Sequence, residues 1–498
     1  MTTPTGGERL RDRRSQRSGS MAREARKPWH LVLAALVLIA LTIPAALLVA
    51  PGFRGPEAPA AAVSAPAWQQ APATLSVPQV LAPLQPSAPV PAPPAVAAQV
   101  EPVLTADGGG TFTGMVQDAL TGQVLFDRGG SESRVPASNL KLLTAVAALR
   151  TLGPDHRFTT KVVRGPAPGQ VVLVGGGDVL LGAGESQPGQ TLGHAGLATL
   201  AALTVQSLQA TGTTGEIKVL VDDSLFTGPA LNPNWLSGDV EAGEIAPLYP
   251  LALNSARFDP AVTTGPRPQD AAMSAAQEFA ARLRAAGAGA ALTVAAGVDR
   301  SPGAASSGAA VLAGVDSATV AEQVDLMLQV SDNYLAETMG RMAAVATGRP
   351  GSNDGATAAV TAELAAAAVT PDAVKLVDVC GLAMGNQVTA RQFTDVVRAM
   401  TTGVDTRLRS ALDGFPVGGL SGTLDTRYGD STTSGGAGLV HAKTGTLNTV
   451  LALSGYVVDA DGRLLVFSFI GNGLTPGAAG NKVALDRAAT ALAGCGCR

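Results

Sequence analysis

The chain has 498 residues, and 46% of them are hydrophobic, which is enough to fill the cores of two or three domains. Its formal net charge is -4, and this balance argues against a nucleic-acid partner. Only seven of the residues are lysines. A lysine inside an apolar segment is therefore unusual in this chain.

The first fifty residues have the pattern of a membrane anchor or an export signal. Residues 1–30 hold eight Arg or Lys against three acids, and residues 31–50 hold no charge. Twenty helical residues span about 30 Å, the thickness of the hydrocarbon core of a bilayer. Basic residues before such a span keep the N-terminus in the cytoplasm. We expect a single-pass anchor in the cell membrane with an extracytoplasmic body, or alternatively a cleaved signal that releases the protein to the cell wall or periplasm.

Residues 51–105 are predicted to be a linker. Twelve of the fifty residues from 51 to 100 are proline, and most of the others are Ala or Val. This composition is typical of a semi-stiff polyproline spacer with no helical or strand period. Such a spacer would hold the folded body away from the membrane.

The elements after the linker predict an α/β fold. Two strands, at 111–118 and 123–127, form a hairpin that leads into an apolar helix ending near residue 153. Helical texture returns at 319–346. Three antiparallel strands and a closing helix then follow, at 439–446, 449–458, 463–470 and 482–493.

Between these two parts the texture changes to short apolar runs that glycine turns interrupt. We therefore predict one α/β domain, an antiparallel sheet flanked by helices, made of residues 106–157 and 321–498. A largely β inserted domain, residues 158–320, interrupts it. This insert also contains some helix, for instance at 270–286.

Ser138 and Lys141 lie at the start of the first apolar helix and three positions apart, so they share one face. A serine nucleophile whose base is an amine needs this arrangement. A free lysine is protonated at neutral pH, so burial and a second cation must lower its pKa. The alternative is an ordinary helix start with a solvated lysine, but the helix is apolar nearly all round.

Two further motifs follow. Ser331 and Asn333 form a Ser-x-Asn motif, which alone is equally a polar turn between two helices. Lys443, Thr444, Gly445 and Thr446 lie in a predicted strand. The three motifs in this order resemble those of the penicillin-recognising serine enzymes, with their transpeptidase-like domain.

The spacing between the motifs indicates which family of these enzymes the chain resembles. The gap of 193 residues from Ser138 to Ser331 is too long for a compact β-lactamase. A large insertion between the first helix and the Ser-x-Asn motif resembles the class C low-molecular-mass penicillin-binding proteins, peptidase family S13. Segments 136–144, 173–178, 222–226, 420–424 and 443–447 look like that family. The resemblance implies a serine D-alanyl-D-alanine carboxypeptidase, with endopeptidase action as a further option, that acts on peptidoglycan stem peptides and is acylated by penicillins. It implies no cofactor and no metal site.

The resemblance also implies roles for the motif residues. Ser138 attacks a carbonyl, Lys141 takes its proton, and Ser331 relays a proton to the leaving amine. Asn333 holds Lys141 and the substrate amide, and Lys443 supplies a second cation and a carboxylate anchor. The strand through Thr444, Gly445 and Thr446 binds the substrate, and the N–H groups of Ser138 and Thr446 form an oxyanion hole. Asp222 receives the diamino acid of the stem peptide, unless it only flanks a turn.

Residues 380–384 depart from the family. Members usually have Ser-Gly-Leu-Ser and a basic residue here, whereas this chain has Cys380 to Met384 without a cation. The departure puts substrate affinity in doubt rather than acylation. Competing hypotheses are a β-lactamase or esterase of the same clan and a non-catalytic cell-wall-binding protein. Cys380 either pairs with one of Cys495 and Cys497, or all three are free buried thiols.

Overall fold

The computed structural model describes residues 86–498. The basic segment 1–30, the anchor 31–50 and most of the linker that the sequence predicts lie outside the described residues. Within 86–498, no helix combines the length and the apolar character that crossing a bilayer requires.

The strands of the described part pair into two five-stranded sheets and one short ladder. In chain order they are β1 Thr111–Asp118, β2 Val124–Arg128, β3 Ser133–Arg134, β4 Thr159–Arg164, β5 Gln170–Val174, β6 Gly215–Asp222, β7 Leu292–Arg300, β8 Val311–Asp316, β9 Val388–Thr389, β10 His441–Leu447, β11 Val450–Val458 and β12 Leu464–Asn472.

The α-helices of the described part are, in chain order, α1 Pro93–Val100, α2 Lys141–Thr151, α3 Leu197–Ala210, α4 Ser237–Glu241, α5 Ala271–Ala286, α6 Val320–Gln329, α7 Asn333–Ala346, α8 Asn353–Ala366, α9 Ala390–Thr401 and α10 Gly480–Ala493. The strands and helices predicted outside the insert agree with these bounds to within one to three residues, except that the segment 319–346 holds two helices.

The first sheet is antiparallel throughout, in the order β10-β11-β12-β1-β2. Its side chains alternate between two cores. Leu465, Phe467 and Phe469 face α1 and α10, whereas Val466 and Ile470 face the helical core built around α2, α7 and α9. This is the predicted arrangement of an antiparallel sheet flanked by helices, and the fold class is confirmed.

The second sheet has the order β7-β6-β5-β4-β8, and all of its strands lie between Thr159 and Asp316. Strands β5, β6 and β7 run parallel, while β4 is antiparallel to both of its neighbours. Helices α3 and α5 cover this sheet. A loop between β6 and α5 packs into the helical core of the first domain through Trp235 and Ile245. The domain boundaries at 157 and 320 stay a prediction.

The linker prediction is wrong at its C-terminal end, because Pro93–Val100 is the helix α1. Proline is tolerated in the first turn of a helix, where its missing N–H has no intrahelical partner. The six residues after Pro94 contain no proline. Val96 and Val100, one turn apart, are fully buried beside α10. Contacts with the rest of the fold, rather than the local amino-acid composition, therefore make residues 93–100 helical.

The cysteine predictions also need correction. The structure joins Cys495 to Cys497, and Cys380 is a buried free thiol. A bridge from Cys380 to the C-terminal pair is therefore wrong, and so is the option of three free thiols. The carbonyl of Cys497 accepts a hydrogen bond from the N–H of Ala92. The bridged C-terminus thus contacts the residue that precedes α1.

A buried ion pair joins the end of β1 to the residue that precedes the neighbouring strand β12. The Nε of Arg463 lies 2.8 Å from Asp118 Oδ2, and both side chains are almost fully buried. The same guanidinium donates to the carbonyls of Pro86 and Ala88. Removing one member of such a pair leaves the other charge buried without compensation.

We expect Asp118→Ala to lower the free energy of unfolding by about 3–5 kcal/mol, because the guanidinium of Arg463 stays buried. Urea unfolding checks this value. Arg498→Ala is the matched control, since Arg498 pairs with Asp461 but is 69% exposed, and we expect a loss below about 1 kcal/mol. Equal losses in the two variants would contradict the assignment of this pair as a structural element of the core.

Candidate functional site

Ser138 lies in a short 3-10 helix, Ala137–Leu140, and not in the first turn of α2 as predicted. Ala137 has a φ of 49°, a left-handed conformation that is strained for a residue with a side chain. Two glycines pack closely against this turn. A Cβ on Gly381 would lie 2.0 Å from the Ala137 carbonyl, and one on Gly445 would lie 3.2 Å from the Ser138 nitrogen.

Lys141 is the first residue of α2 and is fully buried. Its Nζ lies 2.9 Å from Ser138 Oγ, 2.6 Å from Asn333 Oδ1 and 2.8 Å from the carbonyl oxygen of Cys380. The amide oxygen and the carbonyl only accept hydrogen bonds. The solvated-lysine alternative is therefore incompatible with this geometry.

Ser331 and Asn333 lie at the junction of α6 and α7. Ser331 has a left-handed φ of 58°, and the Asp332 side chain caps α7. Arg257 holds the buried Asp332 carboxylate at 2.8 Å. Asn333 Nδ2 donates to the carbonyl of Glu244 at 3.0 Å. The predicted polar turn and the predicted motif are thus the same feature, because the cap fixes the side chain that holds Lys141.

Lys443 is fully buried on β10, two residues before Gly445, so both residues face the turn that carries Ser138. Its Nζ donates to the Thr444 carbonyl at 2.9 Å. Ser454 lies directly opposite Lys443 on β11 and accepts a hydrogen bond of 2.6 Å from Asn139. The side chain of Asn139, next to Ser138, therefore joins the turn to strand β11.

Strand β10 is the edge of its sheet, and part of that edge is free among the described residues. The N–H of Ala442 donates outward to the Pro416 carbonyl. Because outward and inward groups alternate along an antiparallel ladder, the backbone groups of Thr444 and Thr446 also point outward. Thr446 is exposed. The hydroxyl of Thr444 lies 2.7 Å from that of Thr423, on a neighbouring loop.

Burial lowers the pKa of both lysines. For Lys443 the positive charge of Lys141 acts in the same direction. For Lys141 the nearby acidic groups, Cys380, Asp378, Asp332 and Glu337, act in the opposite direction and raise its pKa to the extent that they are ionised. The sequence predicted that burial and a second cation would together lower the pKa of Lys141. In the structure burial does so, and the like charge acts on Lys443.

Asp222 lies at the end of β6 in the second sheet. Its Oδ1 accepts from the N–H and hydroxyl of Ser224, and its Oδ2 accepts from the N–H of Ala305. The structure brings Ser138, Lys141 and Asn333 into direct contact, but the hydrogen bonds of Asp222 all stay within its own domain. A role for Asp222 in substrate binding stays a prediction.

Three residues that contribute to the site were not predicted from the sequence. The Cys380 carbonyl is a backbone acceptor, which no residue type signals. Thr423 lies in a segment noted only for its family resemblance. Asn139 was visible as the one polar residue between Ser138 and Leu140, yet a buried partner on β11 is a long-range contact.

A model of the D-Ala-D-Ala carboxypeptidase 3 (S13) family matches residues 96–268 and 262–492 of the chain. Carboxypeptidase Rv3627c of Mycobacterium tuberculosis is 38% identical over 475 residues, which cover 95% of this chain and 98% of that protein. Carboxypeptidase DacB of Mycolicibacterium smegmatis is 35% identical over 480 residues, with 95% and 98% covered.

Among solved structures, penicillin binding protein 4 from Haemophilus influenzae superimposes with a TM-score of 0.61. The sequences are 20% identical, and the match covers 79% of this chain and 97% of that one. At this identity the likeness concerns the fold, and it spans both sheets of the described part.

We expect Gly445→Ala to destabilise the protein by about 1–3 kcal/mol, because the added Cβ overpacks the turn around Ser138. The new atom would lie 2.9 Å from the Pro136 carbonyl and 3.1 Å from the Ala137 side chain. Gly429→Ala is the control, since its Cβ would meet nothing within 4 Å, and a change within about 0.5 kcal/mol is expected. Denaturant unfolding of both variants measures the difference.

Proposed function

The chain belongs to the D-Ala-D-Ala carboxypeptidase 3 (S13) family, and we propose that it releases the terminal D-alanine of peptidoglycan stem peptides through an acyl-enzyme on Ser138. The observation that carries the proposal is the environment of Lys141. A neutral amine has two N–H groups and one lone pair. Asn333 Oδ1 and the Cys380 carbonyl take the two N–H groups, so the lone pair faces the Ser138 hydroxyl.

In the proposed reaction Ser138 Oγ attacks the carbonyl of the scissile D-Ala-D-Ala bond while Lys141 takes the hydroxyl proton. The N–H groups of Ser138 and Thr446 donate to the oxygen of the tetrahedral intermediate. The C–N bond then breaks, and the leaving amine receives its proton by way of Ser331. Water attacks the resulting ester and restores the Ser138 hydroxyl.

The free edge of β10 supports the proposed binding of an extended peptide, because the outward backbone groups of Thr444 and Thr446 remain unpaired by a neighbouring strand in the described part. We assign the substrate carboxylate to the hydroxyls near this edge, with the buried amine of Lys443 behind them, whose ammonium form the bound carboxylate favours. The absence of a side chain on Gly445 lets the strand approach Ser138. Thr423, bonded to Thr444, joins this set.

We further propose that the catalytic body works outside the cytoplasm, where peptidoglycan lies, and that residues 31–50 direct it there. The uncharged run of twenty residues after a basic segment supports this. β-Lactams, which carry a reactive carbonyl and a carboxylate, fit the same two subsites as the peptide. We therefore expect them to acylate Ser138 and to act as inhibitors.

Ser138→Ala should abolish covalent labelling by fluorescent penicillin and all release of D-alanine, because the attacking oxygen is gone. Labelled protein is detected after denaturing electrophoresis. The turnover assay uses a disaccharide pentapeptide and a cross-linked dimer, with products weighed by mass spectrometry. A wild-type protein that takes no label, under conditions where a known penicillin-binding protein does, would end the proposal. Labelling of Ser138→Ala would identify a different nucleophile.

The acylation rate should rise with pH on an acid limb below 10.5, the ordinary pKa of lysine, because burial lowers the pKa of Lys141 and only its neutral form is a base. Stopped penicillin labelling from about pH 5 to about pH 10 measures this limb. Lys141→Arg is the companion variant. Its guanidinium stays protonated throughout, so no acylation is expected at any pH. An acid limb near the ordinary lysine value would contradict the role of Lys141 as the base.

Lys443→Met should reduce kcat/KM for carboxylate-bearing substrates by about 100-fold or more, since a buried charge near a substrate anion is worth about 3 kcal/mol. Methionine fills a similar volume, so packing is retained. Small uncharged esters serve as the control substrate and should lose far less. Equal losses on both substrates would show that Lys443 does not anchor a carboxylate.

A further inference from the structure

Glu337 supports the same turn that receives Lys141. It lies on α7 one helical turn after Asn333, and its side chain is fully buried. Its Oε1 accepts hydrogen bonds from the N–H groups of Val379 and Cys380, at 2.8 and 2.9 Å. The carbonyl of Cys380 in turn accepts from Lys141 Nζ. One carboxyl oxygen thus binds the N–H of the residue whose carbonyl receives the amine of Lys141, while Asp378 Oδ1 accepts from the Gly381 N–H of that carbonyl's own peptide group.

The second oxygen of Glu337 has no hydrogen-bond partner within the described residues, although it is buried. A negative charge on a buried oxygen without donors costs more free energy than a neutral O–H there. Burial and the nearby Asp378 raise the pKa of Glu337 to about 7, against the N–H donors and Arg341. Near neutral pH this carboxyl therefore carries a proton in a substantial fraction of molecules.

The charged and titratable groups around Glu337 come from three elements. Arg341 lies one turn further along α7, Lys141 lies on α2, and Asp378 and Cys380 lie on the turn itself. Burial raises the pKa of the Cys380 thiol, which therefore stays neutral. The Asp378 carboxylate accepts four hydrogen bonds, from Gly381 N, Ala383 N, Asn386 Nδ2 and Trp235 Nε1. Glu337 is thus the acid of this cluster whose second oxygen has no donor.

We propose that Glu337 is a positioning residue for the base. Its Oε1 holds the N–H groups of Val379 and Cys380 and so keeps in place the residue whose carbonyl accepts from Lys141, and its Oε2 carries a proton while Lys141 is neutral. This inference rests on the proposed function, because it concerns the amine that activates Ser138. An ionised Glu337 would favour the ammonium form of Lys141 by Coulomb attraction, whereas the protonated carboxyl leaves the neutral amine in place.

Two substitutions separate orientation from charge. Glu337→Gln keeps an oxygen that accepts from the two N–H groups but never ionises. Its maximal acylation rate should stay within about threefold of the wild type, and its acid limb should move to lower pH, because the negative charge that favours the ammonium is gone. Glu337→Ala removes the acceptor and should lower the maximal acylation rate at least tenfold, as expected for a misoriented catalytic group.

The experiment measures penicillin acylation against pH for wild type, Glu337→Gln and Glu337→Ala, after circular dichroism has shown each to be folded. An acid limb of Glu337→Gln that coincides with that of the wild type would overturn the inference, and so would Glu337→Ala that acylates as fast as Glu337→Gln. Failure of the proposed function is recognised separately, because the wild type itself then takes no label.

A second measurement holds even where Glu337→Ala does not fold. Infrared difference spectra between acidic and alkaline pH should contain the C=O stretching band of a buried protonated carboxyl in the wild type. That band should be smaller in Glu337→Gln, where the buried Asp178, whose pKa burial also raises to about 7, still contributes. A band of equal size in both proteins would show that the proton lies on another acid, and the inference would be wrong.

Discussion

The arrangement of the fold depends on the complete burial of the Lys141 amine, which is unfavourable in free energy unless the amine is hydrogen-bonded. An ammonium or amine away from water must find hydrogen-bond partners, and isolated charges are disfavoured there. Lys141 finds them in Asn333 and in the Cys380 carbonyl, which are 192 and 239 residues away along the chain. The helix junction at Asn333 and the turn at Cys380 therefore have to reach the same point. The residues between Lys141 and Asn333, which include the second sheet, fold without displacing Lys141 from Asn333 and from the Cys380 carbonyl.

Two strained backbone positions lie where these segments meet. Ala137 and Ser331 both adopt left-handed conformations that cost about 1–3 kcal/mol each unless the surroundings impose them. Gly381 and Gly445 press against the turn of Ala137, and the cap by Asp332 follows Ser331 directly. Close packing by glycine and a fixed helix start thus hold the Ser138 hydroxyl and the motif of Ser331 in place. Such rigidity is useful to a site that must present a hydroxyl to a narrow range of substrate positions.

Hydrophobic periodicity and the order of the motifs were enough to predict the strands of the first sheet and the central residues of the site. Strand β1 was placed at its observed bounds, and the burial of Lys141 followed from an apolar helix with no solvent face. The sequence did not predict the 3-10 turn at Ser138, because apolar spacing alone does not separate three from 3.6 residues per turn. Helix α1 was missed because its stability comes from contacts with α10. The acceptor at Cys380 is a backbone carbonyl, which every residue carries, so only the tertiary structure reveals it.

The distribution of charge around the two lysines gives the substrate a part in its own activation. Burial disfavours the ammonium form of both lysines; the acidic groups near Lys141 oppose this effect, whereas the positive charge of Lys141 adds to it at Lys443. The protonation of one amine therefore affects that of the other. A substrate carboxylate placed near Lys443, as proposed, favours the ammonium there, and the like charge then disfavours a second ammonium at Lys141. Since Lys141 is the amine in contact with Ser138, binding of the anionic peptide end at the proposed position would move the site toward the state in which the hydroxyl has a base.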